Sequence, residues 1–203
     1  MNKVSLIFND TTSILITQDN NDNYGGNNNG FFLKNKIENK SYTTMRFMNV
    51  TFNVWDSLYN FKWELLSDTM NILGQRCLAA KTDFRGRTYI AYYSTNYSTT
   101  EGPWKFGGLP GLILDVKSTD NYIEYKAVKI IENYTGKVSI PNLNKFKFLD
   151  WNSFVTDYKK TVDKYIKLVK SNENYPNGGS VVLKIESTEI FYPELQTNKG
   201  IEF

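Results

Sequence analysis

Only one stretch of this chain carries its apolar residues at helical spacing. Phe154, Val155, Tyr158, Val162, Tyr165, Ile166 and Val169 fall at offsets 0, 1, 4, 8, 11, 12 and 15, a single stripe on a helix surface. Asp150 or Asn152 can cap its start. Its far side carries Lys159, Lys160, Lys164, Lys167 and Lys170, which reads as a solvated face or as one turned to anionic lipid. Elsewhere the apolar residues come in short runs or alternate with polar ones. One helix must therefore share a core with many short strands. The expected fold is mainly β: an antiparallel sheet forming an open barrel or bowl, with one amphipathic helix at about 151–170 packed on it.

The strand pattern begins at Val4–Phe8 and Ser13–Thr17. An Asn-, Asp- and Gly-rich insert at 19–30 follows and has almost nothing to bury, so it reads as a flexible loop. Asp19 and Asp22 supply hard oxygen donors there, but the acid spacing and terminal Glu of a calcium loop are missing. Met48, Val50, Phe52 and Val54 alternate with Phe47, Asn49, Thr51 and Asn53, the mark of a half-buried strand. Phe61, Trp63 and Leu65 suggest the next. Ile72–Phe84 and Thr88–Ser94 read as a hairpin closed at Arg85-Gly86-Arg87. Leu112–Lys117 and Tyr122–Glu132 read as another, and Val181–Phe191 as a final strand. No repeat and no linker divides the chain, so residues 1–203 read as a single domain.

Absences narrow the chemistry. The chain has no histidine, which removes the commonest general base, the Ser-His and Cys-His nucleophile pairs and any imidazole zinc site. A lone cysteine, Cys77, allows neither an internal disulfide nor a cysteine cage. No metal and no cofactor is expected. Lys plus Arg is 24 against 21 Asp plus Glu, too mild and too dispersed a balance to imply nucleic acid. No apolar run reaches the roughly 18 residues of a transmembrane helix, and no signal peptide opens the chain.

The most specific segment is Glu101–Leu114, with four glycines and two prolines interleaved with Trp104, Phe106, Leu109, Leu112 and Ile113. Pro110-Gly111 suits the centre of a type II turn, and Gly107-Gly108 permits a close backbone approach. At least one of Gly107, Gly108 and Gly111 is expected at positive φ. The segment is no phosphate cradle, because the spacing of its glycines matches no nucleotide-binding loop. It reads as a tight apolar corner feeding a buried strand, or as an apolar ligand contact.

The residues of this segment resemble a known family. Gly108-Leu109-Pro110-Gly111-Leu112-Ile113 is the hexapeptide that names the GLPGLI family, exported proteins of Bacteroidota. Gly102-Pro103-Trp104-Lys105-Phe106 before it, Leu73–Lys81, Phe84–Tyr93 and the ending Asn198–Phe203 are similar to that family's pattern. Gln75 and Tyr92 depart from it where Tyr and Trp are usual. The family's N-terminal signal peptide and first strand are not recognisable here, and the resemblance covers about residues 55–203. It implies export to the periplasm or the outer membrane, and no established activity.

Other groups bear on chemistry. Cys77 lies in an apolar strand with Arg76 directed to the opposite face, so it reads as a structural thiol. Asp83, Glu101, Asp115 and Glu124 are candidate carboxylates for glycoside chemistry, which needs two acids facing across a cleft. Tyr89, Tyr92, Tyr93 and Tyr97 could stack a sugar or peptide, or pack the sheet. Thr11, Ser57 and Thr69 each follow an aspartate in a pattern similar to that of periplasmic O-glycosylation acceptors in Bacteroidota. The expected function is a non-catalytic envelope accessory or binding protein, acting with an outer-membrane protein complex such as a TonB-dependent transporter. The alternatives are a carrier of an apolar ligand such as lipid in a concave sheet, and a carboxylate-based hydrolase.

Overall fold

A computed structural model describes residues 3–17, 31–171, 182–185, 189–196 and 201–202. The loop expected at 19–30, with Asp19 and Asp22, lies outside the described residues. So do Val181 and 198–200.

Ten strands form two antiparallel meanders in succession. The first comprises β1 (Val4–Phe8), β2 (Thr12–Thr17), β3 (Phe31–Asn35), β4 (Lys40–Phe47) and β5 (Val50–Ser57). The second comprises β6 (Glu64–Ile72), β7 (Gln75–Phe84), β8 (Arg87–Ser94), β9 (Leu112–Ser118) and β10 (Glu124–Lys126). A short strand, β11 (Leu149–Asp150), then joins the first sheet in parallel beside β5. It leads straight into α1 (Trp151–Ser171). The pair β12 (Val182–Leu183) and β13 (Ile201–Glu202) and the single turn α2 (Pro193–Gln196) complete the described chain. The architecture is mainly β with one long helix packed on it, as the sequence leads one to expect. Strands β1 to β11 lie in two open-edged sheets, and among the described residues no barrel closes. Among the described residues no helix is long and apolar enough to cross a membrane.

Helix α1 starts at a side-chain cap. The backbone N–H and hydroxyl of Ser153 donate to the Asp150 carboxylate at 3.0 and 2.6 Å. The apolar stripe then packs on the first sheet, where Phe154, Tyr158 and Val162 are buried against Phe47, Phe52 and Val54. Ring pairs such as Phe52–Phe154, with centroids 5.5 Å apart, fill this layer edge to face.

Local differences from the sequence pattern have local causes. Met48 does not continue the strand of Phe52 and Val54. Phe47 pairs with Val50, so Met48 sits in a two-residue turn at φ 50° and is exposed. The hairpin of β7 and β8 turns at Arg85-Gly86, both at positive φ, and Arg87 already pairs with Phe84. Phe61 and Trp63 precede β6 in extended chain without pairing and pack on Phe106. β10 stops at Lys126 instead of running to Glu132, because the chain leaves the sheet after Ala127 donates to Leu114 O at 2.7 Å. The final strand shrinks to Val182–Leu183, and Ile190 donates instead to Arg85 O across the β7–β8 turn at 3.0 Å.

Register defines the face that matters most. Ser13, Lys34, Ser41 and Asp56 pair across β2, β3, β4 and β5, so they stand in one row on the side of the sheet that also bears Leu15, Phe32 and Val54. That face is buried beyond the row, at β2 and β3 under the second sheet and at β4 and β5 under α1. The polar row lies near the ends of the four strands.

Candidate functional site

The connection from β8 to β9, residues 95–111, enters the space between the sheets. Trp104, Phe106, Leu109, Leu112 and Ile113 are all buried, together with Gly102 and Pro103. Phe106, fully buried, has Tyr89, Trp104 and Phe61 around its ring at centroid distances of 4.8, 5.3 and 5.4 Å. The loop's backbone is bonded inward and outward. Phe106 donates to Pro103 O at 3.0 Å, Gly108 to Thr100 O at 2.9 Å and Ile113 to Glu101 O at 2.9 Å. Gly108 and Pro110 form its exposed apex.

Two of the glycines are constrained in different ways. Gly108 stands at φ 85° in open space. Gly111 passes so close to the end of β8 that a Cβ there would lie 2.7 Å from the Ser94 carbonyl carbon, and nearer still to its oxygen. Pro110-Gly111 is not a type II turn. Gly111 stands at φ 158°, and its N–H donates to Leu109 O at 2.8 Å across Pro110 alone. Seating the glycine against the Ser94 carbonyl requires that tighter path.

Charged groups clasp the loop from both sides. Lys34, from the polar row, donates to the carbonyls of Gly102 and Phe106 at 3.0 and 3.1 Å and pairs with Glu101 at 2.9 Å. Lys36 meets the same carboxylate at 2.8 Å. Burial alone would raise the Glu101 pKa, but Lys34 and Lys36 outweigh it and hold the carboxyl below its usual range. Trp63 closes this side by donating to Gly107 O at 2.9 Å.

On the other side Lys105 reaches Asp56 and Glu189, each at 2.7 Å. Arg85 bridges the same two carboxylates, meeting Asp56 at 2.9 Å. The Trp151 ring lies 3.6 Å from the Arg85 guanidinium carbon and 4.4 Å from the Lys105 ammonium. Two cations and two anions from β5, the β7–β8 turn, the loop and the C-terminal segment thus form a neutral cluster. The side chains of Lys105 and Glu189 are 6% and 2% exposed. A partly buried quartet of this kind holds position, because Lys105 and Glu189 need their partners to remain out of water.

Of the candidate carboxylates, Asp115 and Glu124 share one face of adjacent strands, close enough for Glu124 to add to the upward push on Asp115. Glu101 is consumed by its lysines. Asp83 accepts from Thr88 Oγ1 at 2.5 Å on an exposed strand end. Asp115 and Glu124 occupy adjacent strands, but Glu124 is exposed opposite Lys117 whereas Asp115 is buried opposite Lys126. Burial pushes the Asp115 carboxyl up. Among the described residues no group of three His, Cys, Asp or Glu is placed to hold a metal ion. Cys77 is buried and its thiol is pushed up by desolvation. Tyr89 and Tyr93 belong to the core between the sheets. Tyr92 and Tyr97 are half-buried on the far side of the second sheet. Tyr97 also lines a shallow open depression with Thr95, Ser98, Thr99, Thr100 and Pro110 beside the loop apex. Thr11 in the β1–β2 turn, Ser57 at the end of β5 and Thr69 on the edge strand β6 are exposed.

Sequence reasoning singled out the loop but missed what holds it. Lys34, Lys36, Asp56, Arg85 and Glu189 lie far from it along the chain. Lys105 gave the one available signal, a cation inside an otherwise apolar run.

No family model matches the sequence, and no curated protein matches it. Among solved structures the fold is similar to that of PNGF-II. The structure in space group P21 superposes with a TM-score of 0.51 at 18% identity, over 81% of this chain and 30% of that one. The C2 form gives 0.49 over the same shares. This chain therefore spans about a third of the length of PNGF-II, and the likeness is one of fold.

Proposed function

We propose that the chain is a non-catalytic accessory or binding protein of the cell envelope, of the GLPGLI family, working beside an outer-membrane protein such as a TonB-dependent transporter. The observation that carries this reading is the use to which the charged groups around the motif are put. Lys34, Lys36, Glu101, Asp56, Arg85, Lys105 and Glu189 all bind one another or the loop backbone. The motif residues Gly102, Pro103, Trp104, Phe106, Gly108, Leu109, Pro110, Gly111, Leu112 and Ile113 are in this reading the keystone of a scaffold. Catalysis by carboxylates would need a pair open to substrate, and Asp56 and Glu189 face two cations instead. The role left for such a scaffold is to present surface to a partner.

Cross-linking in native envelopes followed by affinity purification tests this. A specific outer-membrane protein should come down with the chain. Recovery free of any such protein, at a cross-linking yield that captures known envelope pairs, would overturn the reading. The exposed Thr11, Ser57 and Thr69 make a related proposal testable by intact mass. Chain from its own envelope should be heavier by whole glycans than cytoplasmically expressed chain, and equal masses would remove it.

A further inference from the structure

The connection from β10 to β11 spans residues 127–148 and, apart from a single 3-10 turn at Leu143–Lys145, has no regular structure. It is anchored from below. Ala127 and Ile130 pack on the outer face of the second sheet, and Val138, Leu143 and Phe148 on that of the first. Other apolar side chains of the segment stay open to solvent, Phe146 while keeping an edge contact with Phe148. Val128, Ile131, Tyr134, Ile140 and Phe146 are 38% to 77% exposed. So large an apolar exposure on one segment is a contact surface waiting for a second body.

Charge says what kind of body. Lys129, Lys137, Lys145 and Lys147 are all exposed, and none has an ion-pair partner among the described residues. Of the 24 basic and 21 acidic residues, these four lysines and Glu132 lie in the segment, which leaves 20 of each sign elsewhere. The segment's own charge is therefore +3. The partner is anionic and also accepts aliphatic and aromatic side chains.

We infer that residues 127–148 dock on an anionic lipid surface, inserting Ile131, Tyr134, Ile140 and Phe146 while the lysines meet lipid phosphates. A bilayer interface suits this segment better than a folded protein does. The connection offers no free strand edge and no helix face for a shaped partner to read, only apolar tips interleaved with cations. Lysine stems and aromatic rings both suit the headgroup boundary. The inference deepens the envelope reading by giving the protein a surface to rest on. Vesicle binding tests it separately, since lipid affinity is measured whatever compartment the chain occupies.

The experiment is co-flotation of the full chain with vesicles of phosphatidylcholine, with and without phosphatidylglycerol. Binding should require the anionic lipid and fall as salt rises. Each Lys→Glu change among the four should weaken it by about fivefold or more, from the loss of one lysine's attraction to the surface. The variant I131S/I140S/F146S should lose insertion, read as loss of a blue shift from a fluorophore placed at Val128. These side chains are exposed, so an unchanged melting temperature is expected and is checked first. If a variant unfolds, bilayer-depth quenching of the same fluorophore on the parent chain decides. No anionic-vesicle binding at low salt would overturn the inference. So would binding unaffected by the apolar changes, or concentration-dependent self-association through this segment without lipid binding.

Discussion

At Gly111 any side chain would have to share space with a carbonyl. The collision with Ser94 O is one with backbone, and neither strand can yield without breaking the β8–β9 ladder. Gly111→Val should therefore cost about 3 kcal/mol or more, as overpacking in a rigid site does. Gly108, also at positive φ, differs in having nothing within 4 Å of the place a Cβ would take. Gly108→Ala should cost only about 1–2 kcal/mol, the penalty of the left-handed conformation itself. Urea unfolding of both variants checks the contrast. Glu101 makes a third case. Its carboxyl is held below its ordinary value of 4.5. A depressed pKa contributes stability that is complete above the unfolded value and disappears as pH falls through the folded one. Acid melts should show the parent losing stability below about pH 4.5, with a visibly shallower loss in Glu101→Gln. The burial of Trp104, Phe106 and Leu109 could be read from the sequence because those residues have nowhere else to go. The partners of Lys105 could not, because an ion pair leaves no trace in the spacing of residues that meet only after folding.

At the scale of elements, α1 was fully legible and the strands were legible by their centres. A helix repeats its stripe over several turns, whereas a strand of five to ten residues is set by where its turns fall. Met48 shows the limit: its apolar side chain continues the alternation of Phe52 and Val54, yet a two-residue turn claims it. The division into two sheets was equally hidden, since period two is the same in one sheet as in two. Helix α1 contributes through Phe154, which is fully buried and touches Phe52, Trp151, Tyr158 and Phe191. Phe154→Ala should remove about 3–5 kcal/mol, by lost transfer free energy and the cavity left behind. Calorimetry should register a lower Tm with secondary structure retained below it.

Across the whole molecule, the quartet of Asp56, Arg85, Lys105 and Glu189 ties four distant parts of the chain. Lys105→Met should cost about 3–5 kcal/mol, because it leaves the buried Glu189 and the partly buried Asp56 with one cation. Adding Glu189→Met should restore part of that loss, since the remaining Asp56 and Arg85 balance. A double-mutant cycle measures this coupling, and simple additivity would show that the pair is independent.

The same cluster sets an order in time. Lys105 meets Glu189 across 84 positions and Arg85 meets it across 104. Contacts that distant make folding slow, in the range of milliseconds to seconds for comparable β topologies. They also mean that the loop's buried lysine stays one carboxylate short until residue 189 has been made. Until then the charge cluster that clasps the loop is incomplete, although the core between the sheets is built wholly from residues made earlier.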